Sequence, residues 1–247
     1  MTIAAILGPA GDQTPVLRLV STSDLSTANT TCNFGEPTDD RVITVVAIST
    51  LEATQDPPGS PTTTGSSSTS QANVNILVNG VTATRKFHST YYWKVNIPFS
   101  FLSRWVNITV ASIDLPTGTS GPVRLNVTGT SNPRISDNIA AVYSSRGLNV
   151  RANISTTSGS FTNITNVSTL SLNNSTGGWY INALYGPSLE GGNPTLTSTG
   201  FTIDRDGGYQ AIASASKISS ATVTWTTGSG NERYNFNVLI SFIPTSR

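Results

Sequence analysis

Residues 234–242, Tyr-Asn-Phe-Asn-Val-Leu-Ile-Ser-Phe, place Tyr234, Phe236, Val238, Ile240 and Phe242 at every second position. Successive side chains of an extended chain point to opposite faces, whereas a helix would bring together every third or fourth residue. A period of two therefore marks a strand with one face on a core and the other on water. The same period recurs upstream, at Ala72, Val74, Ile76 and Val78, at Val106, Ile108 and Val110, at Val123, Leu125 and Val127, and at Ala221, Val223 and Trp225. Arg41–Thr50 departs from it, because Val42, Ile43, Val45, Val46 and Ile48 run almost without a polar break. That run predicts a central strand covered on both faces.

Turn signals separate these segments. Asn79-Gly80 between ANVNILV and VTATRKF is a strong hairpin signal, and Asp206-Gly207-Gly208 and Gly228-Ser229-Gly230 punctuate the C-terminal half. In PTGTSG, Pro116 presets φ, while Gly118 and Gly121 are placed to take φ > 0. The expectation is an all-β, antiparallel β-sandwich, jelly-roll or Ig-like, with roughly fourteen to seventeen short strands and little or no helix. Residues 56–70 contain no apolar side chain and read as a surface loop or tether. Composition does not shift at Ser131-Asn132-Pro133-Arg134, so residues 1–247 read as one continuous unit, with two stacked sandwiches, 1–131 and 132–247, as the alternative.

Composition narrows function. Charged residues are 11% of the 247, and 14 Lys+Arg against 13 Asp+Glu leave a net charge of +1. Capture of nucleic acid or of an anionic membrane needs a basic excess that this chain lacks. No run approaches the roughly 18 apolar residues of a membrane span. The single Cys32 excludes an internal disulfide framework. Met1–Gly8 has no basic n-region and too short an apolar stretch for a secretory signal, so synthesis in a cytoplasm is expected. Eight N-x-Ser/Thr sequons occur, about the number that chance supplies where Ser and Thr exceed a quarter of the chain.

Catalytic constellations are thin. His88 is the only imidazole, and Ser89 beside it would point to the opposite strand face. Cys32 has no second ligand for zinc. Asp204-x-Asp206-Gly207 resembles part of a calcium loop but lacks the distal Glu, so it reads as a hairpin turn. Nothing pairs two carboxylates across a cleft as glycoside hydrolysis requires. No catalytic residue, metal site or cofactor is expected. Aromatic residues carry more information. Tyr91-Tyr92-Trp93 are consecutive, so if Tyr92 faces the core, Tyr91 and Trp93 share the other face. Trp105 is out of phase with Val106, Ile108 and Val110, and Trp179-Tyr180 repeat the situation. Tyr91, Trp93, Trp105 and Trp179 are therefore the candidates for a subunit interface or for stacking on a sugar ring, the alternative being a second core layer beneath a loop.

From Asp39 to Leu148 the order of segments is similar to that of tailed-bacteriophage virion proteins. DDRVITVVAIS, the hairpin VNILVNGVTAT, DLPTGTSGPVRLNVTGT and AAVYSSRGL follow the pattern DRxxVVxV, xVxxGGVxAT, PTGTxGxVxVxxSGT, VYxxxGL, with Asn79-Gly80 where Gly-Gly is common. The resemblance implies a β-sandwich component of a virion surface, capsid-decorating, capsid-cementing or on the tail, with no active site to carry over. Its implied partners are other virion proteins and itself, as a trimer, with neither nucleic acid nor membrane. The alternative is a module that recognises a host glycan.

Overall fold

The computed structural model describes residues 14–55, 73–97, 100–128, 134–151, 156–161, 167–185, 195–208, 210–226 and 233–244. The side chains of 53–55, 91–104, 151–177, 195–196 and 217–237 lie outside that description, as does the Ser/Thr-rich stretch 56–70. Among the described residues every regular element is a strand, and every strand pair is antiparallel.

Among the described residues sixteen strands form three sheets. A five-stranded sheet has the order β1 (Val16–Ser23), β9 (Arg134–Arg146), β3 (Val42–Gln55), β7 (Ser100–Asp114), β6 (Thr84–Ile97). A four-stranded sheet runs β2 (Thr30–Asn33), β8 (Ser120–Thr128), β4 (Asn73–Val78), β5 (Val81–Thr82). The largest sheet runs β10 (Leu148–Arg151), β16 (Arg233–Pro244), β12 (Val167–Tyr185), β15 (Gln210–Thr226), β13 (Thr195–Thr199). There β11 (Thr156–Phe161) also pairs β16, and β14 (Thr202–Asp206) pairs β15. The expected antiparallel β-sandwich is present, with a third layer. The five-stranded sheet is the middle layer, and it draws β9 from beyond Ser131 to lie between β1 and β3.

Two cores flank this middle sheet, as period-two chemistry requires when both faces are covered. From β3, Val46 and Ile48 join Val106, Ile108 and Val110 of β7 against Ile181, Ala183, Val238, Ile240 and Phe242 of the large sheet. On the opposite face Ile43, Val45, Ala47 and Leu51 meet Val74, Ile76, Val78, Val123 and Leu125 of the small sheet. The covered central strand expected at Arg41–Thr50 is β3. One feature of β7 differs from the half-wet strand its sequence suggests: Asn107 and Thr109 are buried as completely as the valines beside them. Their face looks into the second core, and the His88 imidazole and Thr90 hydroxyl on β6 replace water there.

The hairpin at Asn79-Gly80 has φ of 52° and 79°, the two positive values that a type I′ turn demands. Gly118 takes the expected positive φ of 78°. Gly121 serves another purpose: a Cβ on it would stand 2.0 Å from Asn79 Oδ1 and 2.9 Å from the buried ring of Phe34. The Asn79 amide donates to the Pro122 carbonyl at 2.8 Å, so this glycine lets the hairpin turn close onto the loop.

Candidate functional site

The four aromatic candidates do not assemble. Trp105 is 4% exposed and packs in the core shared with the small sheet, while Trp179 is 8% exposed in the core on the other side of the middle layer. The expectation that these indoles lie off the core is corrected at both. Phase against a neighbouring apolar row separates inside from outside only when a sheet has one covered face. Here both faces of β7 are covered, so the phase of Trp105 selects which core it enters. Trp179 lies on the face opposite Tyr180, and it meets Phe242 across the ladder. Tyr91 and Trp93 lie on β6, an edge strand of the middle sheet, opposite Val106 and Arg104 of β7; their side chains lie outside the described residues.

Of the residues weighed for chemistry, His88, Cys32 and Asp206 are each held in structural contacts. Thr90 Oγ1 donates to Asn107 Oδ1 at 2.6 Å, so it accepts from His88 Nε2 at 3.2 Å, and Thr109 lies 2.9 Å from Nδ1. Both ring nitrogens are thus held in a chain of polar groups, and Thr90 is itself buried. Cys32 is fully buried, with Ser23 Oγ 3.4 Å from its sulfur. Asp206 Oδ1 accepts from the Gly208 amide at 2.8 Å, and Gly207 donates to the Gln210 carbonyl, which makes this segment the hairpin turn expected of it. Among the described residues no three His, Cys, Asp or Glu side chains gather as metal ligands, and no helix is long and apolar enough to cross a membrane.

Asp204 is held elsewhere. Fully buried Tyr143 of β9 donates its hydroxyl to Asp204 Oδ2 of β14 at 2.5 Å, tying the middle sheet to the large one. Burial first, then the adjacent Asp204 charge and its hydrogen bond, push the Tyr143 hydroxyl well above the usual phenol value. Burial also raises Asp204, against the hydrogen bonds from Tyr143 and Ser214. The unfolded chain thus loses the Tyr143 proton first. Stability from this group is complete below about pH 10 and falls as pH rises further, by at most about 1.4 kcal/mol per pH unit. In acid the sign is the same: the fold binds the Asp204 proton more tightly than the unfolded chain does, so this group's contribution also falls as pH rises through its own range. Urea unfolding of Tyr143→Phe between pH 9 and 11 is expected to show a shallower alkaline loss, by about one proton, than the unsubstituted chain. Parallel profiles would show that Tyr143 ionises as easily folded as unfolded.

Arg41 organises one end of the sandwich. Its residue is 1% exposed, and it enters β3 from a turn closed by its own amide donating to the Thr38 carbonyl. Nε donates to Leu115 at 2.6 Å, Nη1 to Gly35 at 2.8 Å and Phe34 at 3.4 Å, and Nη2 to Thr117 at 2.8 Å and Gly118 at 2.6 Å, in every case to the carbonyl oxygen. Desolvation lowers its pKa, partly offset by Glu36. The guanidinium thereby holds the 34–35 and 115–118 loops together.

Beside this clamp lies a groove of about 870 Å³, open to solvent and lined by β1, the end of β9 and the loops around Asn33–Thr38 and Thr119–Ser120. Arg18 and Arg146 line it, with Glu36 on the facing loop. Neither arginine stands out in the sequence; their relation comes from the β1–β9 register, where Arg18 faces Ser144 and Val16 faces Arg146. Comparison with known proteins gives no match to any family model or curated protein.

Proposed function

We propose that this chain is a non-enzymatic structural protein of a bacteriophage virion, working through protein–protein contacts on the capsid or tail surface. The observation that supports this reading best is where the segments of the phage-like pattern meet. Arg41 of DDR binds the backbone of PTGTSG, the Asn79-Gly80 turn closes on Gly121 and Pro122 of the same stretch, and Ser144, Ser145 and Arg146 of VYSSRGL line the adjoining groove. The pattern thus describes one packed corner, in keeping with a shared scaffold and not with shared catalysis. Among the described residues His88, Asp204 and Asp206 carry structural hydrogen bonds, which suits a protein whose task is to hold.

Assembly would work through area. A stable contact buries roughly 1,000 Å² or more, and a closed trimer multiplies weak contacts with a shell. The test is the location and copy state of the full chain. Gradient-purified particles from a lysate of producing cells are expected to contain it in stoichiometric amounts, and native mass spectrometry of the isolated protein is expected to show a trimer. Recovery solely from particle-free fractions would overturn the virion reading, and a monomer at high concentration would overturn the trimer.

A further inference from the structure

We infer that the groove between the β1–β9 edge and the loops at 33–38 and 119–120 is a binding site for an acidic saccharide, whose carboxylate is taken by Arg18 and Arg146. The inference stands on the groove alone and is independent of the virion reading. Because Arg18 faces Ser144 and Arg146 is two residues further along β9, the two arginines share one face of the sheet as diagonal neighbours, roughly 7–8 Å apart at the backbone. Like charges so placed repel, and an uncompensated pair is a cost that an anion between them removes. Among the described residues no carboxylate lies within ion-pairing distance of either. Of the other described arginines, Arg205 pairs with Asp24 at 2.8 Å, Arg85 with Asn73 and Asn75, and Arg41 with its carbonyls, while Arg124 and Arg134 stand exposed with no second arginine in a shared groove. Arg18 and Arg146 thus offer planar forks suited to bidentate capture of a carboxylate.

The rest of the lining selects a sugar over a bare anion. Glu36 faces the arginines, which disfavours a densely charged ligand but gives an acceptor for paired ring hydroxyls. Asn33 spends its carbonyl oxygen on the Gly35 amide at 2.8 Å, which leaves its amide hydrogens as donors, and Ser144 adds a hydroxyl. Val20, half-buried, provides a short aliphatic strip for the C–H face of a pyranose. The backbone under the strip is fixed by Gly35, at φ 72°, where a Cβ would touch Val20 Cγ1 at 3.0 Å. A volume of about 870 Å³ exceeds one sugar ring and suits a short oligosaccharide.

The full chain is titrated calorimetrically at low salt with trigalacturonate and with sialyllactose as acidic probes, and with maltotriose and inorganic phosphate as controls. At least one acidic probe is expected to bind about tenfold or more tighter than either control, and to weaken in 0.5 M NaCl. Arg18→Gln and Arg146→Gln are each expected to weaken it about tenfold. Arg124→Gln, on exposed β8 away from the groove, is expected to change nothing. Melting of each variant checks that it is folded, and either single substitution suffices for the test. Failure of both acidic probes to bind, maltotriose binding as tightly, phosphate binding as tightly, or full affinity retained in the folded Arg18→Gln/Arg146→Gln double variant would each overturn the assignment.

Discussion

Replacing Arg41 by alanine is expected to cost about 3–5 kcal/mol of folding free energy, a large part of a domain's usual 5–15. The buried guanidinium makes five hydrogen bonds to carbonyl oxygens of two loops. Bonds from a charged donor contribute more than neutral ones, and acceptors left inside without a partner carry their full desolvation cost. Part of that cost is recovered because Thr117 and Gly118 lie at an exposed turn where water can enter. Arg41→Lys is expected to fall between, since one ammonium has three donors on a single point and cannot span both loops. Equilibrium urea unfolding gives the free energies, and hydrogen exchange should show the amides around 115–119 losing protection first. A loss below about 1 kcal/mol in Arg41→Ala would mean that the loops hold one another without the clamp.

The legible and illegible parts of this molecule divide along a physical line. Local rules sufficed where a feature is decided by neighbours in sequence: the Asn79-Gly80 turn, the φ of Gly118, and the doubly covered β3 with its unbroken Val and Ile run. They failed where a partner lies across a sheet. Asn107 and Thr109 look like solvent-facing residues, and they are buried because His88 and Thr90 arrive on the adjacent strand with matching donors and acceptors. The role of Arg41 has no signal in the sequence, since backbone carbonyls as partners leave no side-chain signature there. Gly121 is set by an approach from Asn79 that no turn rule contains. The groove pairs Arg18 with Arg146 through the register of β1 on β9, which skips between Leu19 and Ser21; neither residue carries a motif. Phase against Val106, Ile108 and Val110 would set Trp105 outside a sheet with one core, but it sets it in the second core of a sheet with two, and the face of Trp179 is covered by the middle sheet.

That third layer sets the last expectation. The C-terminal strand reads as central to a core, and in β16 Val238, Ile240 and Phe242 are 0%, 0% and 1% exposed. The side chain of Phe236, the residue that the alternation also places there, lies outside the described ones, so Phe242 is the substitution of choice. It faces Trp179 across the ladder and packs between the large and middle sheets. Phe242→Ala removes most of a buried aromatic and leaves a cavity that rigid strands on both sides cannot close, at a cost of about 3–5 kcal/mol. Trp105→Ala is expected to cost a similar amount, about 3–5 kcal/mol, in the other core. The two sites lie on opposite faces of the middle sheet, with no shared cluster. Their free energies should therefore add within about 0.5 kcal/mol. Yet β3, β7 and β9 contribute side chains to both cores, so neither core can melt while the other keeps its wall. Calorimetry of each variant is expected to show one transition, moved down as a whole. A Phe242→Ala profile that splits in two, with the upper half at the unsubstituted temperature, would show the large sheet unfolding by itself and the middle sheet needing only the small one.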